Sequence, residues 1–233
     1  EQGLPVVERL AASGQICVLG MTVRGELSAA ATVKVDGDTL VLNGQWNQVG
    51  SGSHADVFLL PATLPCGSLG LLEVSAKAQG LSVQALTTVD ATRSSANVAA
   101  VNVSLTGAAV LVHGDALKKL WAQTRNLAAI GLAAEQAGVA DRALNLAVEY
   151  TKERQQFGKA VGSFQGVKHR AAQILVKVET ARSAVYAAAF IADTAGDATD
   201  LTYFAAQART DAAEAALFST RESIQLHGGV GFT

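Results

Sequence analysis

The chain has no proline after Pro65, and at Gly114 its hydrophobic pattern changes period. From about Gln15 to Val112 apolar and polar residues alternate in short runs, as half-buried strands require. "TVKV" (Thr32 to Val35), the turn "DGD" (Asp36 to Asp38) and "TLVL" read as a hairpin, with Asn43-Gly44 as a further turn. Further strands are expected in "ADVFLLPA" from Ala55, "GLLEVSA" from Gly70, "GLSVQAL" from Gly80, "NVAAVNVSL" from Asn97 and "AAVLVHG" from Ala108. Strands so closely spaced, with no helical pattern between them, predict a small antiparallel barrel or sandwich. After Gly114 alanine and leucine recur at helical steps. Asp115 is placed to cap a helix reaching about Glu153, and a second starts near Ser163 with Phe164, Val167, Ala171, Ile174, Val178, Ala181 and Val185 on one face. "AGDATD" (Ala195 to Asp200) breaks the pattern, and a third helix runs from about Leu201 to Leu226, closed by His227-Gly228-Gly229. The fold class is therefore α+β: a β domain over 1–113, then an antiparallel helical bundle over 114–233.

Composition excludes several classes. The net charge of -2 and pI near 6.1 supply no basic patch for a phosphate backbone, so nucleic acid is not an expected partner. Cys17 and Cys66 lie far apart without a CxxC spacing, which argues against a disulfide framework and for a reducing compartment. No signal segment opens the sequence and its apolar runs are broken before membrane length, so a cytoplasmic location without integral membrane contact is expected. The acceptor-like triplet Asn102-Val103-Ser104 carries no weight without a secretory signal. The first residue is Glu1, and Thr233 follows directly on a glycine cluster, so both ends read as cut edges of a longer chain.

Two segments can carry chemistry. In "ERQQFGKAVGSFQ" (Glu153 to Gln165), Arg154 and Phe157 share a helix face if the first helix continues through them, and Gly158 lets the chain turn. A guanidinium beside an aromatic ring suits a phosphate and an adjoining ring, and Gln165 adds an amide at a helix N-terminus. The same residues also suit a plain helix hairpin with a solvated arginine and a core phenylalanine. In "QLHGGVGFT" (Gln225 to Thr233), glycine-freed amides allow close approach to a phosphate or ring, the alternative being a simple helix cap. "VGSGSHAD" (Val49 to Asp56) superficially matches a dinucleotide fingerprint, but a strand follows where that motif needs a helix. His54, His113, His169 and His227 show no metal-ligand spacing.

Taken together, "YTKERQQFGK", "RQQFGKAVGSFQ" and "SIQLHGGVGF" resemble the acyl-CoA dehydrogenase family, whose C-terminal domain carries an R-x-x-F-G…Q segment and a Q-x-x-G-G-x-G-F segment. "QTRNLAAIG" (Gln123 to Gly131) is similar to the family helix with a substrate-side arginine, and "VDGDTLVLNG" to its middle β domain. The resemblance implies a four-helix C-terminal domain, a middle β domain and a missing N-terminal helical domain. It implies FAD as cofactor, with Arg154, Gln156 and Phe157 at the pyrophosphate and adenosine end, Gln165 beside them, and Gln225, Gly228 and Gly229 meeting the FAD of a neighbouring subunit. Arg125 falls near the acyl-CoA cleft. The implied reaction removes the α-proton of an acyl-CoA while the β-hydride passes to flavin, giving a trans-2-enoyl-CoA, with an electron-transfer flavoprotein as acceptor and a homo- or hetero-oligomeric assembly.

The sequence departs from the family pattern in three ways. The usual base is a glutamate beyond the Gly-Gly-x-Gly-Phe segment, which the sequence does not reach; the alternative position, before the substrate-side arginine, holds Thr124, and Glu135 and Glu149 do not match it. No catalytic base is assigned. The family's flavin-facing runs correspond to the unlike stretches "LGMTVRGELSA" and "NQVGSGSHAD", with Trp46 falling early, and the family's N-terminal helical domain is expected to be missing from this stretch. Such divergence resembles the heteromeric dehydrogenases of steroid side-chain degradation, so a non-catalytic partner subunit is an alternative expectation, as is a flavin oxidase or monooxygenase relative.

Overall fold

The computed structural model describes residues 4–21, 31–194 and 197–233. They divide into two compact units, Glu1–Trp121 and Ala122–Thr233. From Thr22 onward, the "LGMTVRGELSA" stretch lies outside the described residues up to Ser28 and Ala29, as do Ala195 and Gly196 of the expected break.

The first unit opens with a helix that the alternation did not announce, α1 (Leu4–Ser13), whose Arg9 pairs with Glu73. Strands β1 (Cys17–Leu19), β2 (Thr32–Asp36), β3 (Thr39–Gly50), β4 (Val57–Thr63), β5 (Leu69–Ser75), β6 (Leu81–Leu86), β7 (Ser95–Leu105) and β8 (Val110–His113) follow. They form one sheet in the order β6-β7-β3-β2-β4-β5-β8, with β1 also on β4. The sheet is mixed: β1 and β2 run parallel to β4 along the same edge, while the other pairings are antiparallel. Fully buried Leu42, Phe58, Leu60, Leu72 and Val98 form the core, joined by Trp46, whose indole N–H donates to the Pro61 carbonyl at 3.0 Å.

Asn43-Gly44 is not the expected turn, because β3 passes straight through it. Opposite that pair β7 carries an extra residue, since Leu42 faces Val103 but Gly44 faces Ala100. Asn102, at φ 52, makes that bulge, and its backbone N–H donates to the Asn43 side chain at 2.8 Å. A second irregularity, at Gln48 (φ 56), puts the extra residue on β3. The offset on β3 keeps Trp46 and Val49 both facing the core despite their odd spacing, and the one on β7 does the same for Ala100 and Val103.

Three long helices follow: α2 (Gly114–Glu153), α3 (Gln165–Asp193) and α4 (Ala198–His227). The third starts earlier than the apolar pattern indicates, because Asp197 caps it by accepting from the Thr199 N–H. Within the second unit α3 runs antiparallel to both neighbours. Arg170 pairs with Glu222 and Lys177 with Glu214, whereas Asn126 bonds Thr202 and Arg209 bonds Gln136, so α2 and α4 point the same way. The core between them is mostly alanine, Ala133, Ala140, Ala181, Ala205, Ala208 and Ala212, around Ile174 and Val178. Among the described residues no helix is long and apolar enough to cross a membrane.

Candidate functional site

Helix α2 stops at Glu153, and the chain then makes a miniature hairpin of β9 (Gln155–Gln156) and β10 (Lys159–Ala160). Its loop is Phe157-Gly158, with φ of 56° and 79°. Two successive positive φ values are what a tight two-residue hairpin loop demands, and glycine meets the second without steric cost. A phenylalanine in that region costs on the order of 1 kcal/mol.

Arg154 and Phe157 therefore do not share a helix face. The helix has ended, and the left-handed turn aims Phe157 elsewhere. Nor is Phe157 a core residue, being 91% exposed with only an edge-on contact to the Phe164 ring at 6.2 Å. Lys159 lies 4.4 Å over that Phe164 ring, which braces the hairpin against the start of α3. Arg154 is fixed through its backbone: its N–H donates to Tyr150 at 2.9 Å and its carbonyl accepts from Val161 at 2.7 Å. Its guanidinium has no ion-pair partner among the described residues.

The hairpin forms one wall of an open cleft of about 690 Å³. The opposite wall is the end of α4. There Gly228, at φ 61, terminates the helix, and a 3-10 turn (Gly228–Phe232) folds back on it. A side chain at Gly231 would meet the Ile224 carbonyl at 2.5 Å, so this fold-back tolerates only glycine. Arg154, Gln156, Gln225, Gly228 and Gly229 all line this one cleft. Of the other expected residues, Phe157 stands at the hairpin tip outside the lining and Gln165 lies 3.4 Å from His169. Arg125 is exposed on α2 and is not part of the cleft.

The cleft also contains Tyr150, Arg170 and His227, which the sequence reading did not select. Tyr150 lies one helical turn before Arg154, a spacing that could have flagged it. The Tyr150 and His227 rings stack at 4.5 Å, 24° from parallel. Arg170 lies on α3, where its ion pair with Glu222 at 2.7 Å leaves it about half exposed. Phe164 precedes α3 without any side-chain cap, so the first amides of that helix add partial positive charge at the same wall. Two guanidiniums, two carboxamides, glycine backbone and an uncapped helix start make a donor set suited to a diphosphate with an attached nucleoside.

Comparison with known proteins gives the arrangement a family context. The sequence profile described as acyl-CoA dehydrogenase, C-terminal domain, matches residues 119–233. Over 106 residues, 46% of this chain, the sequence is 50% identical to the acyl-CoA dehydrogenase IpdE2 of Mycobacterium tuberculosis. Over 202 residues, 86% of this chain, it is 37% identical to the acyl-CoA dehydrogenase FadE34 of the same organism. Among solved structures, a chain of the ChsE4-ChsE5 complex from M. tuberculosis superimposes with a TM-score of 0.79 at 28% identity over 96% of this chain. The matched stretches span 31% of IpdE2, 26% of FadE34 and 59% of that solved chain.

Proposed function

The chain belongs to the acyl-CoA dehydrogenase family, and from that premise we propose that it is part of an FAD-dependent subunit that dehydrogenates an acyl-CoA thioester to the trans-2-enoyl-CoA. The observation that carries this reading is the convergence of Arg154, Gln156, Gln225, Gly228 and Gly229 on one cleft, from two segments far apart in sequence. Arg154 neutralises charge on the diphosphate, Arg170, already paired with Glu222, donates hydrogen bonds beside it, the Gly228-Gly229 backbone admits it closely, and the two carboxamides orient the adenosine end. That both motifs line one cleft supports the reading that they serve the same cofactor molecule. When bound, FAD supplies the electron sink for the β-hydrogen. Arg125 orders the acyl-CoA side, and an electron-transfer flavoprotein takes the electrons onward. Leu132, Val139 and Leu146 recur at heptad steps as exposed apolar residues on α2, which supports burial against a related subunit.

A second reading, a partner subunit that binds cofactor without turnover, is favoured by one observation: Thr124, before Arg125, has no carboxylate with which to take an α-proton. An anaerobic visible spectrum of the purified full-length protein, before and after a panel of acyl-CoA thioesters, separates the two. A flavin band that bleaches supports the dehydrogenase, a band that no thioester bleaches supports the partner subunit, and absence of flavin overturns both. Arg154→Ala is expected to purify with at least tenfold less FAD, a loss of about 1.4 kcal/mol or more in binding. Undiminished FAD retention by that variant removes Arg154 from the site.

A further inference from the structure

The cleft contains an aromatic pair whose arrangement the diphosphate does not explain. His227 stacks on Tyr150, and its Nδ1 lies 2.7 Å from the Ser223 carbonyl oxygen. A carbonyl can only accept, so Nδ1 carries the hydrogen, and in the neutral ring Nε2 presents a lone pair. Nε2 has no protein partner among the described residues. Stacking fixes the plane of the ring and the carbonyl fixes its rotation, which leaves one acceptor held in a defined direction on the cleft wall.

We propose that His227 accepts a hydrogen bond from a ribose hydroxyl of the nucleotide arm, with Tyr150 as the positioning residue that holds its ring. The inference rests on the flavin reading above. Phosphate oxygens bring only acceptors, so they are drawn to Arg154 and Arg170 and repelled by a nitrogen lone pair. Gly228 and Gly229 follow His227 directly in the chain, so a diphosphate on their backbone lies next to the ring. Moving along a nucleotide from the diphosphate, the first group that can donate a hydrogen bond is a ribose hydroxyl. The imidazole acceptor therefore meets the sugar while the guanidiniums meet the phosphates, and the cleft reads a nucleotide rather than any polyanion.

Calorimetric titration of the full chain, cleared of endogenous flavin, tests this with FAD, ADP, 2′-deoxy-ADP and 3′-deoxy-ADP. Wild type is expected to bind FAD and ADP and to lose about tenfold in affinity when one of the two hydroxyls is removed, as one hydrogen bond requires. His227→Phe keeps the stack but has no acceptor, so it is expected to bind ADP about tenfold more weakly and no longer to distinguish ADP from the deoxy analogues. His227→Gln, whose carboxamide still accepts, is expected to retain that discrimination, and it supplies the comparison if the phenylalanine variant does not fold. A folded His227→Phe that binds ADP as wild type does, or that still discriminates, overturns the proposal, as does wild-type indifference to both hydroxyls. Wild type binding neither FAD nor ADP overturns the flavin reading itself, a result distinct from any pattern among the variants.

Discussion

The two units are stabilised by opposite means. The β unit encloses large side chains, Phe58, Leu42, Leu60, Leu72 and Trp46, on a sheet whose strands approach at ladder distance. The helical unit encloses mostly alanine and is laced on its faces by ion pairs such as Arg182 with Asp141. In the first, stability comes from filled volume; in the second, from the absence of volume, which lets helices pack closely. The difference also separates scaffold from site, since the candidate cleft is built wholly from helix ends and turns of the alanine-rich unit.

The largest expected effect tests the filled core. Phe58 is fully buried among the large residues of the sheet, so Phe58→Ala removes ring and contacts together and is expected to cost about 3–5 kcal/mol. Urea denaturation of the folded protein measures it. A loss below about 1 kcal/mol would mean that the core collapses around the gap, and the contrast between the units would fail there.

The second prediction reverses the substitution. Ala208 on α4 has no exposed surface and lies in the alanine core, so Ala208→Leu has no room and is expected to cost about 1–3 kcal/mol. The same leucine in the β core would be an ordinary residue. If Ala208→Leu melts at the wild-type temperature, the helices are held further apart than an alanine core implies.

These contrasts explain what was legible in the sequence. The change of period at Gly114 is a property of burial, and burial repeats over many residues, so the two architectures, strands β2 to β8 and the three long helices could be read, whereas α1 and the short strands β1, β9 and β10 could not. Features set by a single residue were harder to read. Asn43-Gly44 has the composition of a turn but sits inside β3, because Asn102 provides the compensating bulge on a strand far away in sequence. Asp197 extends α4 past its apolar pattern through one capping hydrogen bond. In the cleft, the motif residues that line the walls could be named from the sequence, whereas Tyr150 and His227 are joined only by folding, which brings the ends of α2 and α4 together. The assumption that Arg154 and Phe157 share a face failed for a local reason: a helix cannot continue through a residue at positive φ.

That residue supplies the smallest and most diagnostic prediction. Phe157 occupies a strained backbone region while exposing an aromatic ring at the hairpin tip, an arrangement that stability alone does not favour. Glycine adopts the same φ freely but gives the unfolded chain more freedom, and the two effects nearly offset. Phe157→Gly is therefore expected to leave thermal stability within about 0.5 kcal/mol of wild type, with any net change a gain. FAD content, read from the visible spectrum of the purified protein, is expected to fall, because the ring at the tip is lost while the hairpin that carries Arg154 and Gln156 remains. Unchanged stability with reduced FAD assigns the strained phenylalanine to the cofactor. A loss of more than about 1 kcal/mol, with FAD content unchanged, would instead make its edge contact with Phe164 the reason for the residue and move Phe157 from the site to the scaffold.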